Sequence, residues 1–121
     1  MKVSAIVCTL QVHDFDTSIS FFEKLGFNLE WKWPDPTPIH ASISSSGLSF
    51  MLEKIDAQAK PEKGDLYFRI DGVEQLHKTF TEKNLKVSGL QKTDYGMLDF
   101  SIKSPSGHHL TFGQSSGEFE E

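Results

Sequence analysis

The sequence lacks the features that mark a disulfide-linked, membrane-spanning or nucleic-acid-binding protein. Cys8 is the only cysteine among 121 residues, so neither an intrachain disulfide nor a cysteine zinc cluster can form. Its position on the apolar side of an alternating segment predicts a small buried side chain. No run approaches the roughly 18 apolar residues that a spanning helix needs, and the first residues enter a strand pattern without a signal-peptide core. We therefore expect a soluble cytoplasmic protein.

A concentrated basic surface is also missing. The net charge is −5, and Lys54, Lys60 and Lys63 are interrupted by acids, so nucleic acid is not an expected partner. A neutral or cationic small molecule is easier to accommodate than an anion. The composition, 37% hydrophobic and 24% charged, is that of one globular domain rather than of a disordered chain.

The chain contains an internal repeat. At an offset of 58 positions, apolar residues of the first half match apolar residues of the second: Leu10 with Phe68, Val12 with Ile70, Phe15 with Val73, Phe22 with Phe80, and Phe27 with Leu85. Later the offset becomes 60, where the turn 44–47 matches the turn 104–107. Each half is too small to bury a good core alone, so we expect the two to pack together.

Each half predicts the order strand, helix, strand, strand, strand. The apolar alternation from Ile6 to Val12 predicts the first strand, with Asp14 or Asp16 as the cap of a helix over about Asp16 to Lys24. Gly26 supplies the left-handed residue that ends this helix, and Asn84 is predicted to do the same in the second half.

The predicted boundaries follow from polar segments rich in turn residues. We predict a first module at 1–53, a linker at 54–64, a second module at 65–114 and a flexible acidic tail at 115–121.

Two motifs carry a resemblance to a known family. The opening motif runs from Leu10 to Asp14 and continues in Phe21-Phe22 and Leu25-Gly26-Phe27; the closing motif comprises 96–100 and 104–112. Together they resemble the vicinal oxygen chelate superfamily, which includes glyoxalase I, the extradiol dioxygenases and the bleomycin resistance proteins. The resemblance implies an α+β fold of two tandem βαβββ modules, whose curved sheets enclose a cleft, and commonly a homodimer.

The resemblance also identifies where a metal would be bound. Metal-dependent members place His, Glu or Gln at inward positions near the first and last strands of each module, which here hold Val7, Met51, Asp65 and Thr111. Only Asp65 is a good ligand for a hard or borderline divalent ion, and a catalytic metal needs about three protein ligands. We therefore expect no metal and no other cofactor, although a register shift of one residue would bring the neighbouring side chains to these positions.

Strand alternation predicts which side chains face the cleft. This set mixes acids, hydroxyls, aromatics and methionines, which suits ligand recognition better than bond cleavage; it comprises His40, Ser42, Met51, Asp65, Tyr67, Met97, Asp99, His109 and Thr111. For His40 and His109 the alternative is an exposed strand histidine without a ligand.

Trp31 and Trp33 are the most specific candidates for ligand contact. Two indoles on one strand face, just before a proline-rich turn, could stack on a planar or cationic ligand. Phe27 and Leu29 share their parity, however, so the alternative is that both tryptophans extend the core or line a dimer interface.

These observations favour a small-molecule binding protein of the bleomycin resistance type over an enzyme. Such a protein would sequester a hydrophobic or cationic, antibiotic-like ligand without a metal. One alternative is a metal-dependent enzyme of the glyoxalase or dioxygenase type. Another is a metal-free lyase or isomerase that uses Asp65, His40 or Asp99 as a general base.

Overall fold

The chain folds as the α+β repeat that the sequence predicts. The structure is a computed structural model that describes residues 1–62 and 64–115. Its elements are, in chain order, β1 (Thr9–Val12), α1 (Phe15–Leu25), β2 (Asn28–Trp33), β3 (His40–Ser45), β4 (Leu48–Lys54), β5 (Asp65–Arg69), α2 (Val73–Glu82), β6 (Gln91–Lys92), β7 (Met97–Lys103) and β8 (His109–Ser115).

The chain divides into two units, Met1–Lys63 and Gly64–Glu121. Each unit carries one helix and one four-stranded mixed sheet. The linker at 54–64 and the flexible tail at 115–121 stay predictions, and Lys63 and residues 116–121 lie outside the described residues.

In the first unit the strand order is β1-β4-β3-β2, with β1 parallel to β4 and the other pairs antiparallel. α1 begins after Asp14, whose carboxylate accepts a hydrogen bond from the Thr17 N–H, and this bond lowers the pKa of Asp14. It ends at Gly26, whose φ of 111° confirms the predicted left-handed stop. Phe22 is fully buried and packs edge-on against Phe50 of β4.

The second unit repeats this arrangement, with the strand order β5-β8-β7-β6. α2 begins at Val73, which matches Phe15 at the start of α1, and Asn84 has the predicted left-handed conformation with φ 62°. Phe80 packs edge-on against Phe100 and Phe112, the counterpart of the aromatic packing around Phe22. Each core therefore lies between one helix and the adjacent face of its own sheet.

The prediction for the first strand was wrong at its start. β1 begins only at Thr9, and the preceding residues lie outside any strand; Ile6 is 88% exposed and Cys8 is exposed, not buried. Alternation predicts which side chains share a face, but it does not show how far a helix covers that face. Leu10 and Val12 are covered and buried, whereas the earlier apolar residues are not.

Candidate functional site

In each unit the sheet has one face toward its helix and another that we call the far face. The register places on the far face of the first sheet Thr9, Gln11, Asn28, Trp31, Trp33, His40, Ser42, Ser44, Ser49, Met51 and Glu53. It places on the far face of the second sheet Asp65, Tyr67, Arg69, Gln91, Met97, Asp99, Ser101, Lys103, His109, Thr111, Gly113 and Ser115.

A β-bulge decides the position of the two tryptophans. Leu29 pairs with Ile43, but Trp31 pairs with Ser42, so Glu30 is an extra residue in β2. The bulge reverses the parity of the strand, and Trp31 lies on the opposite face from Leu29. The interpretation that both tryptophans extend the core was therefore wrong, because it assumed unbroken alternation from Phe27 onward.

Both indoles are accessible on this face. Trp31 is 46% exposed and Trp33 is 60% exposed. Trp33 pairs with His40 across the strands, and the two rings stack at a centroid distance of 5.9 Å with an interplanar angle of 30°. Trp33 thus contacts His40 and still exposes more than half of its surface to solvent.

Two carboxylates lie on the same face as the tryptophans. Glu53 lies opposite His40 in β4, on the side away from Trp33. Glu30, the bulge residue, accepts a hydrogen bond of 2.5 Å from the hydroxyl of the buried Ser42. The far face of the first sheet thus combines exposed indoles with negative charge, which favours planar or cationic ligands.

The far face of the second sheet is built around a buried acid. Asp99 is 4% exposed, and its Oδ2 accepts hydrogen bonds from the hydroxyls of Tyr67 at 3.0 Å and Tyr95 at 3.4 Å. Desolvation, followed by the hydrogen bond to Asp99, raises the pKa of Tyr67 to about 12. Tyr67 therefore keeps its proton throughout the neutral range.

Gly113 allows Tyr67 to reach Asp99. It lies between β5 and β7 in the sheet, paired with both Arg69 and Asp99. A Cβ atom at position 113 would lie 2.1 Å from the Tyr67 hydroxyl oxygen and 2.9 Å from the Asp99 Cβ. The glycine is required here because the phenol passes over its backbone, not because of a left-handed conformation.

The consecutive histidines of the second unit differ in exposure. His109, the first residue of β8, is exposed on the far face, whereas His108 precedes the strand and is buried at 1% exposure. Ser104 accepts a hydrogen bond from the backbone N–H of His108 and contacts its Nδ1 at 3.0 Å. Desolvation lowers the pKa of His108, so this ring is neutral at physiological pH.

The structure places every predicted ligand-binding residue on a far face. Five lie on the first sheet: Trp31, Trp33, His40, Ser42 and Met51. Six lie on the second: Asp65, Tyr67, Met97, Asp99, His109 and Thr111. Ligand binding by these residues stays a prediction.

The four positions at which the resemblance would place metal ligands do not form a good donor set. Val7 is 64% exposed and precedes β1, and the side chains of Val7, Met51 and Thr111 are poor ligands for zinc, iron or manganese. Among residues 1–62 and 64–115, no three His, Cys, Asp or Glu side chains are grouped to hold a metal ion. The residues at these positions therefore do not fit a catalytic divalent metal.

Three residues that shape these faces were not among the predicted site residues. Glu30 follows Leu29 and lies on the far face, where it binds Ser42, and Tyr95 reaches Asp99 from the turn before β7. Gly113 carries no side chain, and its role becomes visible only from the path of Tyr67. The sole sequence signal was weak: a glycine inside a strand often marks a close approach.

Comparisons with known proteins agree with the fold. The model of a family described as Glyoxalase superfamily protein matches residues 1–118. The search of curated protein sequences found no match. A glyoxalase-related enzyme from Clostridium phytofermentans is 22% identical, with a TM-score of 0.78 over 95% of this chain and 97% of that one.

Two further solved structures show that this fold occurs with different functions. A bleomycin-binding protein complexed with bleomycin is 15% identical, with a TM-score of 0.75 over 93% of this chain and 99% of that one. Lactoylglutathione lyase from Agrobacterium tumefaciens is 19% identical, with a TM-score of 0.76 over 99% of this chain and 100% of that one. No helix within residues 1–62 and 64–115 is long and apolar enough to cross a membrane.

Proposed function

This chain belongs to the glyoxalase superfamily, and within it we propose that the protein binds and sequesters a planar, cationic or hydrophobic small molecule without a metal. The binding surface is the far face of the first sheet. The observation that carries the proposal is the bulge at Glu30, which places Trp31 and Trp33 side by side in solvent on that face.

The residues of this face supply suitable contacts. An aromatic cation stacked on one indole gains about 0.5–2 kcal/mol, depending on how far the contact is desolvated. Micromolar affinity needs about 8 kcal/mol, so the two indoles alone are not sufficient. The half-buried Met51 provides apolar area on the same face, and Glu30 and Glu53 supply negative charge.

Sequestration requires no reaction. A ligand held by the protein is withheld from its target whenever the protein concentration exceeds the dissociation constant. The poor donor set at Val7, Met51, Asp65 and Thr111 supports binding over metal-dependent turnover. A structural neighbour of this fold binds bleomycin, and we propose an antibiotic of that kind as the ligand.

The test is a fluorescence titration with metal-free bleomycin in the presence of a chelator. Because Trp31 and Trp33 are the only indoles, Trp31→Phe and Trp33→Phe each leave one reporter on the face. We expect saturable quenching at micromolar ligand in the parent protein and in both variants, with affinity reduced about threefold to tenfold in each variant.

The matched control is Gln91→Ala, which changes the position on the second sheet that corresponds to Trp33 and should leave the titration unchanged. If the fluorescence is not quenched and isothermal titration calorimetry also records no heat of binding, bleomycin is not the ligand. Binding that disappears with the chelator and returns with a divalent metal would overturn the metal-free mechanism in favour of the glyoxalase-type alternative.

A further inference from the structure

The segment between β5 and α2 contains Asp71-Gly72, where Asp71 is the only aspartate in the chain that is followed by glycine. Both residues are exposed, and a Cβ atom at Gly72 would meet nothing within 4 Å. Among residues 1–62 and 64–115, neither the Asp71 carboxylate nor the Gly72 N–H has a hydrogen-bond or ion-pair partner. Both groups are therefore open to water and to each other.

The aspartate before the first helix is held in place. The Asp14 carboxylate accepts a hydrogen bond of 3.1 Å from the Thr17 N–H, and the next residue, Phe15, is buried. The second helix has no side-chain cap, and its N-cap residue Gly72 has a φ of 75°. Glycine adopts this left-handed conformation without strain and rotates out of it easily. Asp71 thus has a freedom that Asp14 lacks.

An aspartyl side chain that meets the next backbone nitrogen can close a succinimide ring. The Gly72 nitrogen attacks Cγ of Asp71 and forms a C–N bond, while a carboxylate oxygen leaves as water with the amide hydrogen and one proton from solvent. Water then opens the ring. Attack at the side-chain carbonyl restores aspartate, whereas attack at the backbone carbonyl gives isoaspartate, in which the main chain runs through the former side chain. Glycine favours the closure because it has no side chain to hinder it.

The chain is anchored on both sides of this dipeptide. The Ile70 N–H donates to the Gly113 carbonyl at 2.9 Å, and the Val73 N–H donates to Gln114 Oε1 at 2.8 Å. Isoaspartate adds one carbon atom to the main chain between these two anchors. The bond from Val73 is the one that yields, because its acceptor is a side chain that rotates, whereas the other bond joins two backbones.

We propose that Asp71-Gly72 is a modification site, at which the folded chain isomerises to isoaspartate and thereby releases the start of α2 from β8. The reaction needs only water and consumes no oxidant or cofactor. It involves none of the residues proposed above for ligand binding, so it stands independently of that function.

The test incubates the full chain at neutral pH in oxygen-18 water and then digests it in ordinary water. Electron-transfer mass spectrometry distinguishes isoaspartate from aspartate by backbone fragmentation, and the retained oxygen-18 counts the rings that have opened. We expect both signals at position 71, at about ten times the level at Asp56, an exposed aspartate followed by alanine. No isoaspartate at position 71, or equal levels at the two aspartates, would overturn the proposal.

Two variants at the exposed position 71 separate the chemistry from the backbone geometry. Asp71→Glu keeps the charge but would have to close a larger ring, so it should form no isomer. Asp71→Asn forms the same succinimide faster by losing ammonia, so it should convert to a mixture of aspartate and isoaspartate. An asparagine that persists would show that the folded backbone forbids the ring, which would overturn the proposal.

The release of α2 has its own measurement. In the nitrogen-15-labelled parent protein, a second Val73 amide resonance should grow in proportion to the isoaspartate, and it should be absent from Asp71→Glu. A single unchanged Val73 resonance in a sample that contains isoaspartate would overturn the structural consequence.

Discussion

The two sheets share strand order and pairing, but the residues on their far faces differ. The comparison is clearest along one row, meaning the residues that lie side by side on the four neighbouring strands. In the first sheet the row reads Gln11, Glu53, His40 and Trp33. In the second sheet the corresponding row reads Arg69, Gly113, Asp99 and Gln91. The first row ends in an exposed indole, whereas the second contains a buried acid reached across a glycine.

The helix-facing sides do not diverge in this way. Leu10, Ile43 and Leu52 fill the first core, and Ile102, Leu110 and Phe112 fill the second. Apolar packing against a helix tolerates only a narrow range of residues, while the far face is free of that constraint. The repeat therefore specifies the fold through one face of each sheet and leaves the residues of the other face free to differ.

The largest expected effect tests whether the two cores are equivalent. Phe22→Ala and Phe80→Ala each remove a ring that is at most 1% exposed. Each should lower the free energy of unfolding by about 3–5 kcal/mol because a cavity replaces the ring. Urea denaturation followed by circular dichroism measures both; a difference of more than about 2 kcal/mol would show that the two cores are not equivalent.

The next-largest loss of stability is expected at Gly113, which occupies the position that Glu53 has in the first sheet. Gly113→Ala places a Cβ 2.1 Å from the Tyr67 hydroxyl oxygen, so Tyr67 must leave Asp99. We expect a loss of about 2–3 kcal/mol from overpacking and the broken hydrogen bond. The pKa of Tyr67 should also fall from about 12 toward 10, measured by ultraviolet titration of the phenol.

Its control is Glu53→Ala at the corresponding position of the first sheet. No phenol crosses the sheet there, so the change should alter stability by less than about 0.5 kcal/mol. A Gly113→Ala variant with unchanged stability and an unchanged phenol titration would show that Tyr67 does not depend on the glycine.

The local patterns predicted much of this fold. Asp14, Gly26 and Asn84 mark the ends of helices through their own backbone and side-chain chemistry, so neighbours along the chain were sufficient to place them. The face of Asp99 also followed from alternation, but its bond to Tyr95 depends on the path of a turn. The position of Trp31 depended on pairing with β3, which no alternation within β2 can reveal.

A smaller effect comes from a buried histidine of the second unit that has no counterpart in the first. His108 matches Leu48 at the offset of 60 positions; His108 is 1% exposed and Leu48 is 79% exposed. Because burial lowers the pKa of His108, the unfolded chain takes up a proton first as the pH falls. Stability should therefore decrease below about pH 6.5, by at most about 1.4 kcal/mol per pH unit for this one group.

Chemical denaturation between pH 5 and 7.5 measures this dependence. His108→Leu introduces the residue found at Leu48 and should flatten the profile relative to the parent protein. An identical slope in the variant would assign the dependence to other groups.

The smallest effect on stability is expected for Trp33, on the far face of the first sheet. The proposed ligand is expected to bind at this same face. Trp33→Ala removes an indole that is 60% exposed and in contact with His40, so the free energy of unfolding should change by less than about 0.5 kcal/mol. Gln91→Ala at the corresponding position should behave alike in urea denaturation. If Trp33→Ala instead costs 2 kcal/mol or more, the indole supports the fold, and the contrast between a structural helix side and a ligand-binding far side fails for the first sheet.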